Sequence, residues 1–161
     1  MTETFTTRQV SEVLGVPEAT IRSWRFSGAF ASIGRGGEPY SFRQHDVAVL
    51  VIGARLSRAG FPPGHSFRVA SAAAGDVIAC RESRPHRKFV NFVQNGAQTI
   101  VAMGETPSDG MSGYATWSTL NVAELARELS ELLAGLRLKA RFGPGAFATR
   151  SAQVEAVRDA R

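Results

Sequence analysis

The chain has 161 residues, of which 43% are hydrophobic and 20% charged, so it can build its own core and is not a disordered protein. Its apolar runs are shorter than the roughly 20 residues that span a bilayer, and the starting segment MTETFTTRQV has no signal-peptide pattern. Cys80 is the only cysteine, which excludes an internal disulfide and a CxxC site, and the cytoplasm is the expected compartment.

The net charge of +5 arises from 19 basic and 14 acidic residues, and all but two of the basic residues are arginine. Arginine binds phosphate and guanine through paired hydrogen bonds, whereas lysine offers a point charge. The composition favours a nucleic-acid partner, although a GC-rich genome that encodes arginine in place of lysine explains it equally well.

The first predicted helix covers Thr7 to Leu14. Thr6 and Gln9 stand three positions apart, the capping-box spacing that satisfies two free backbone N–H groups at a helix start. Gly15 then offers the left-handed conformation that often ends a helix. The pattern predicts a short amphipathic helix.

A second helix is predicted from about Glu18 to Ser27, because Pro17 suits a helix start and Glu18 lies at the positive end of the helix dipole. Trp24 is assigned to the core, where an aromatic residue of a short helix usually packs. The predicted apolar side consists of Ala19, Ile21, Trp24 and Phe26. The predicted outward side consists of Thr20, Arg22, Ser23 and Arg25.

Two apolar stretches around the glycines of residues 34–37 predict a β-hairpin over residues 29–42. Ser41 and Gln44 repeat the capping-box spacing, which predicts that a third helix begins there and runs to about Ala59.

A fourth helix, rich in alanine, is predicted from about His65 to Cys80. Residues 81–87 hold three arginines and a proline, which predicts an exposed basic linker. We therefore divide the chain into a first domain of residues 4–80, this linker, and a second part that begins at residue 88.

Residues 88–140 predict a small α+β module, followed by a flexible tail of residues 141–161. Alternating patterns about an Asn95-Gly96 turn predict a hairpin, and a third strand is predicted within residues 114–120. A helix capped by Asn121 would run to about Lys139 and pack its leucines on the module's own hairpin. The leucines are Leu125, Leu129, Leu132, Leu133 and Leu136.

Two short helices about a tight turn, a glycine-tipped hairpin and two further helices follow one another in the order of a winged helix-turn-helix. In this order the sequence resembles the MerR-like family over about half of the chain. The resemblance rests on Phe5-Thr6-Thr7-Arg8-Gln9-Val10, Leu14-Gly15-Val16-Pro17-Glu18-Ala19-Thr20-Ile21-Arg22-Ser23-Trp24, Tyr40-Ser41-Phe42, Asp46-Val47-Ala48-Val49-Leu50 and Leu56-Ser57-Arg58-Ala59-Gly60-Phe61.

The resemblance implies a mainly α fold with small β elements, in which an N-terminal winged helix-turn-helix precedes a small C-terminal α+β module. The sequence departs from the family at Trp24-Arg25, where a tyrosine and an acid are usual, and at Ser41, where an arginine is usual. It is also similar to small excisionases, so a recombination factor is a rival to a transcription regulator.

The expected partner is double-stranded DNA, with the second helix in the major groove and the wing on the backbone or minor groove. Arginine can donate two hydrogen bonds to guanine, and threonine or serine can contact a phosphate or a base. For Arg35, Arg43 and His45 an ordinary exposed position explains the residue about as well. The candidate DNA-binding residues are Thr7, Arg8, Glu18, Thr20, Arg22, Ser23, Arg25, Arg35, Arg43 and His45.

No residue set predicts an enzyme, a cofactor or a metal. His45, His65 and His86 lie at no metal-ligand spacing. The glycines of residues 34–37 form too short a segment for a phosphate loop and are not followed by Lys-Ser or Lys-Thr.

The resemblance implies a homodimer in which residues 88–140 join the subunits or bind an effector. A two-fold partner would also double the short site that one helix-turn-helix reads. The alternative is a protein-interaction adaptor of the antitoxin or phage type, whose residues 88–140 bind another protein.

Overall fold

The computed structural model describes residues 3–26, 41–96, 98–114 and 116–142. Within these ranges the chain is mainly helical, with two small antiparallel sheets. The predicted hairpin of residues 29–42 lies outside the described residues except at its end, as does the predicted tail beyond residue 142.

The first two helices are α1 (Thr7–Leu14) and α2 (Glu18–Phe26), joined by a tight turn. The predicted capping box is confirmed, because the Thr6 hydroxyl accepts from the Gln9 N–H at 3.3 Å and the Gln9 side chain accepts from the Thr6 N–H at 2.8 Å. Gly15 ends α1 in the left-handed conformation, with φ of 62°.

A short two-stranded ribbon, whose pairing the sequence did not predict, leads into α1 and into the third helix. Strand β1 (Thr4–Thr6) pairs antiparallel with β2 (Ser41–Arg43), and Phe5 lies opposite Phe42. Both rings are buried. The ribbon therefore fixes the chain that leads into α1 beside the chain that leads into the third helix.

The third helix, α3 (Gln44–Arg58), begins differently from the prediction. Its N-cap is Arg43, whose backbone N–H donates to the Asp46 carboxylate at 2.8 Å, so the predicted capping box of Ser41 and Gln44 is wrong. Strand β2 continues to Arg43, so Ser41 lies three residues before the first residue of the helix and is not its N-cap.

The fourth helix, α4 (Pro63–Arg81), starts two residues before the prediction, since proline is tolerated in a first helical turn. It packs closely on α3, where the Phe67 ring lies over Gly53. A β-carbon at position 53 would overlap that ring, so only glycine leaves enough space.

The second sheet has the strand order β4-β3-β5, formed by β3 (Phe89–Asn95), β4 (Gln98–Gly104) and β5 (Ser118–Asn121). One face lies against α4 and the turn before it, where Phe61 meets Phe92 edge-on at 5.3 Å. The loop after β4 is tied to the buried Asn91 of β3, whose side-chain amide donates to the carbonyls of Thr106 and Asp109.

The last helix, α5 (Val122–Phe142), carries the predicted leucine stripe, but the stripe packs on other partners. It lies against α4, α1 and α3, and only weakly against β5, so the expectation that it covers its own hairpin is wrong. Leucines of α5 and apolar residues of α1, α3 and α4 belong to one core cluster. The segment of residues 81–87 thus connects two parts of a shared core.

Candidate nucleic-acid interface

Helix α2 is held on the protein by one apolar side. Ile21 is fully buried, and the ring of Trp24 lies 5.0 Å from that of Phe67 on α4, which confirms that Trp24 is a packing residue. The adjoining Arg22 and Ser23 are exposed. The helix is therefore a surface element with a polar side open to solvent.

Arg22 makes one ion pair, with Glu18 of the same helix. The Arg22 Nη2 atom lies 3.1 Å from the Glu18 carboxylate, and the two side chains are 50% and 37% exposed. Such exposed pairs four residues apart on a helix contribute only about 0.3–0.5 kcal/mol. A competing ligand could therefore replace Glu18 at little cost.

Four other side chains of α2 depart from the predicted pattern. Thr20 and Arg25 are half-buried rather than fully outward. Phe26, assigned to the apolar side, is 84% exposed, because it lies beyond the part of the helix that packs on the core. Ala19 is exposed as well.

Thr7 and Arg8 lie in the first turn of α1, where Thr7 is half-buried and Arg8 is exposed. The Arg8 Nε atom donates to Glu12 at 3.1 Å, and Lys139 of α5 donates to the same carboxylate at 3.0 Å. These two hydrogen bonds, that from Lys139 first, lower the pKa of Glu12. The negative charge of the Glu12 carboxylate is thus balanced by the positive charges of Arg8 and Lys139.

A second ion pair joins α5 to the chain before α1. The guanidinium of Arg137 donates to both oxygens of the Glu3 carboxylate at 2.9 to 3.0 Å, which raises the pKa of Arg137. Gly135 approaches Val13 of α1 closely, since a β-carbon there would lie 3.5 Å from it. Sequence patterns gave no signal for these contacts, whose partners are more than a hundred residues apart.

Arg43 and His45 are exposed at the start of α3. The Gln44 amide donates to Glu82 at 3.3 Å and so brings the end of α4 beside them. Glu82 also binds Arg84, at 2.7 Å. Hydrogen bonds from Arg84 and then from Gln44 lower the pKa of Glu82, so an acid offsets part of the basic charge there.

The predicted residues thus fall into three groups in the described part of the chain. They lie on α2, at the start of α1 and at the start of α3, and the β1–β2 ribbon sets Arg43 opposite Thr4, three residues before Thr7. Arg35 lies outside the described residues. Among those that are described, no three His, Cys, Asp or Glu side chains are grouped so that they could hold a metal ion.

Comparison with protein-family models finds no match for the sequence, and comparison with curated proteins finds none either. Within the described ranges, no helix combines the length and the apolar character that crossing a membrane requires.

Proposed function

We propose that the protein is a sequence-specific DNA-binding transcription regulator of the cytoplasm that places α2 in the major groove. One observation carries the proposal: Ile21 is wholly buried, while Arg22 and Ser23 beside it are exposed. A helix held by a narrow apolar side and open on its polar side meets the geometric requirement for reading base edges.

The energies favour this use of Arg22. A paired arginine–guanine contact contributes about 1–3 kcal/mol of discrimination between bases. The exposed pair with Glu18 contributes about 0.3–0.5 kcal/mol. Breaking the pair with Glu18 therefore costs little compared with the base preference that Arg22 would supply.

In the proposed complex the starts of α1 and α3 contact the DNA backbone. Thr7, Arg8, Arg43 and His45 offer hydroxyl, guanidinium and imidazole donors there, which suit phosphate oxygens. Arg35 would add a further backbone or minor-groove contact. Phosphate contacts of this kind set the register of α2 rather than its sequence preference.

The proposed regulator is a homodimer, since two copies double the length of DNA that is read. Leu129, Leu133 and Leu136 are buried within one copy, so the subunits would meet through a surface other than this stripe. Light scattering of the full chain, both free and bound to its DNA site, measures the number of subunits.

The test is selection of bound fragments by the full chain from a random double-stranded DNA pool, followed by gel shifts of the enriched sequence at rising salt. A regulator enriches one motif, and its affinity falls steeply with salt as counterions are released. An adaptor that binds only proteins enriches nothing and shifts no fragment, which would overturn the proposal.

A further inference from the structure

An open cleft of about 170 Å³ lies between the turn before α4 and the three-stranded sheet. Phe61, Phe92 and Trp117 supply its aromatic lining, and Gln94, Thr116 and Ser118 its polar lining. The cleft is separate from the α2 surface and has no place in the DNA-binding proposal.

The cleft forms where two strands part. In the described residues the β3–β5 ladder ends at the pair Phe92–Ser118, although β3 runs on to Asn95. Thr116 and Trp117 line one side of the cleft, and Val93 and Gln94 line the other. The edge of β3 beyond Phe92 therefore has no β5 residue beside it, and strand edges of this kind offer N–H and C=O groups to a ligand.

Trp117 is fixed at the rim although it is 40% exposed. Its indole N–H donates to the Pro107 carbonyl at 2.7 Å. The Thr119 hydroxyl lies 3.1 Å from the same Pro107 carbonyl and 2.9 Å from the amide oxygen of the buried Asn91, and donates its single hydrogen to one of these two acceptors at a time. The indole ring is thus held in position by a network rooted in the sheet.

The lining defines the chemistry of a ligand. No described lining residue carries a charge, which favours a neutral molecule. The Phe61 and Phe92 rings already make an edge-on contact, and aromatic rings prefer such tilted or offset stacked partners. A cavity of roughly 150 Å³ holds one benzene ring, so an open cleft of about 170 Å³ suits one ring with a second towards solvent.

We propose that this cleft binds a small, neutral, planar aromatic compound of one or two rings that carries a hydrogen-bonding edge. The rings lie against Phe61 and Trp117, above the buried Phe92. The hydrogen-bonding edge pairs with the main-chain N–H and C=O of Gln94, because those of Val93 face β4. The ligand continues the sheet at the position where β5 departs from it.

The test uses isoquinolin-1(2H)-one, a planar bicyclic lactam, as probe on the full isotope-labelled chain. Amide NMR spectra should show saturable shifts of the Trp117 indole N–H and of the Val93 and Gln94 amides. The N-methyl derivative lacks the donor and should bind about tenfold more weakly, since an unpaired main-chain group would remain. This comparison requires no variant of the protein.

Trp117→Leu should weaken lactam binding by about tenfold through loss of the aromatic contact. Phe26→Leu is the matched control, because it removes an exposed aromatic ring elsewhere, and should leave binding unchanged. Absence of saturable shifts, equal affinity for the two probes, or shifts centred on Trp24 would overturn the proposal.

Discussion

The guanidinium of Arg58, in the last turn of α3, donates a 2.6 Å hydrogen bond to the main-chain oxygen of Leu14, the last residue of α1. The last carbonyls of a helix have no partner within it, so a cation that binds one of them stabilises the end of α1. That end lies directly before the turn into α2.

Arg58→Met should therefore lower the free energy of unfolding by about 1 kcal/mol, the usual contribution of such a hydrogen bond. Urea denaturation measures the loss. Arg127→Met is the control, because Arg127 is an exposed arginine of α5. Equal stability of the two variants would contradict a capping role for Arg58.

Gly15→Ala and Gly75→Ala should change stability in opposite directions. Gly15 has a φ of 62°, where a β-carbon is strained, so alanine should destabilise by about 1–2 kcal/mol. Gly75 lies exposed within α4, and a methyl group there would point into open space, so alanine should stabilise by about 0.5–1 kcal/mol. Thermal unfolding followed by circular dichroism distinguishes the two signs.

Gly53→Ala should destabilise the protein by about 1–3 kcal/mol through overpacking. The added methyl group would overlap the Phe67 ring, which is fully buried. That ring also packs against the ring of Trp24. Denaturant unfolding would measure the lost stability. Fluorescence in a Trp117→Phe background, where Trp24 is the remaining tryptophan, would report the displaced ring. A variant as stable as the parent would mean that α3 and α4 separate easily at this point.

Arg22→Ala should weaken binding to the selected DNA site by about 1–3 kcal/mol and relax the preference at one base pair. Arg127→Ala removes the same charge from the exposed surface of α5 and serves as the control. Gel shifts against the site and its single-base variants measure both effects. If the two substitutions weaken binding equally, Arg22 contributes only charge.

Arg35→Ala should lower the affinity for many sequences by about the same factor, because a backbone contact carries no sequence information. Titration of several unrelated fragments in parallel measures this effect. A loss confined to one fragment would instead assign Arg35 to base recognition.

Asp109 gives the loop after β4 a defined pH dependence. Hydrogen bonds from the Thr106 hydroxyl and from the backbone of Thr106 and Glu105 lower the pKa of the Asp109 carboxyl. A carboxyl whose pKa is lower in the folded state stabilises the protein above its unfolded pKa, and this contribution is lost as pH falls through the folded pKa.

Carbon-13 titration of the Asp109 carboxyl should therefore give a midpoint below that of an ordinary aspartate. Asp109→Asn should remove the same pH-dependent contribution, so that the two proteins differ in stability at neutral pH and converge in strong acid. Parallel pH–stability curves would show that the carboxylate does not anchor the loop.

Local signals allowed the helices and the three strands of the second sheet to be predicted, but not strand β1. The capping box of Thr6 and Gln9, the left-handed Gly15 and the Asn95-Gly96 turn each act within a few residues, and the structure has all three. The predicted cap of α3 was wrong because strand β2 continues to Arg43, which pairs with Thr4, a contact 39 positions away that no local pattern reports.

Partners distant in sequence could not be predicted for the same reason. The leucine stripe of α5 specifies a buried side without specifying what covers it, and its actual neighbours lie on α1, α3 and α4. The ion pair of Arg137 with Glu3 and the Arg58 cap depend on that packing. Exposure of the polar side of α2 did follow from its periodicity, except at the half-buried Thr20 and Arg25.

Because α5 is synthesised last among the described helices, its position in the chain affects how long the apolar core stays exposed during synthesis. A ribosome makes α1, α3 and α4 well before the leucines that cover them, so the nascent chain carries an uncovered apolar surface until Val122–Phe142 has emerged. A chain that ended before that point would leave this apolar surface exposed and would be prone to aggregation and proteolysis.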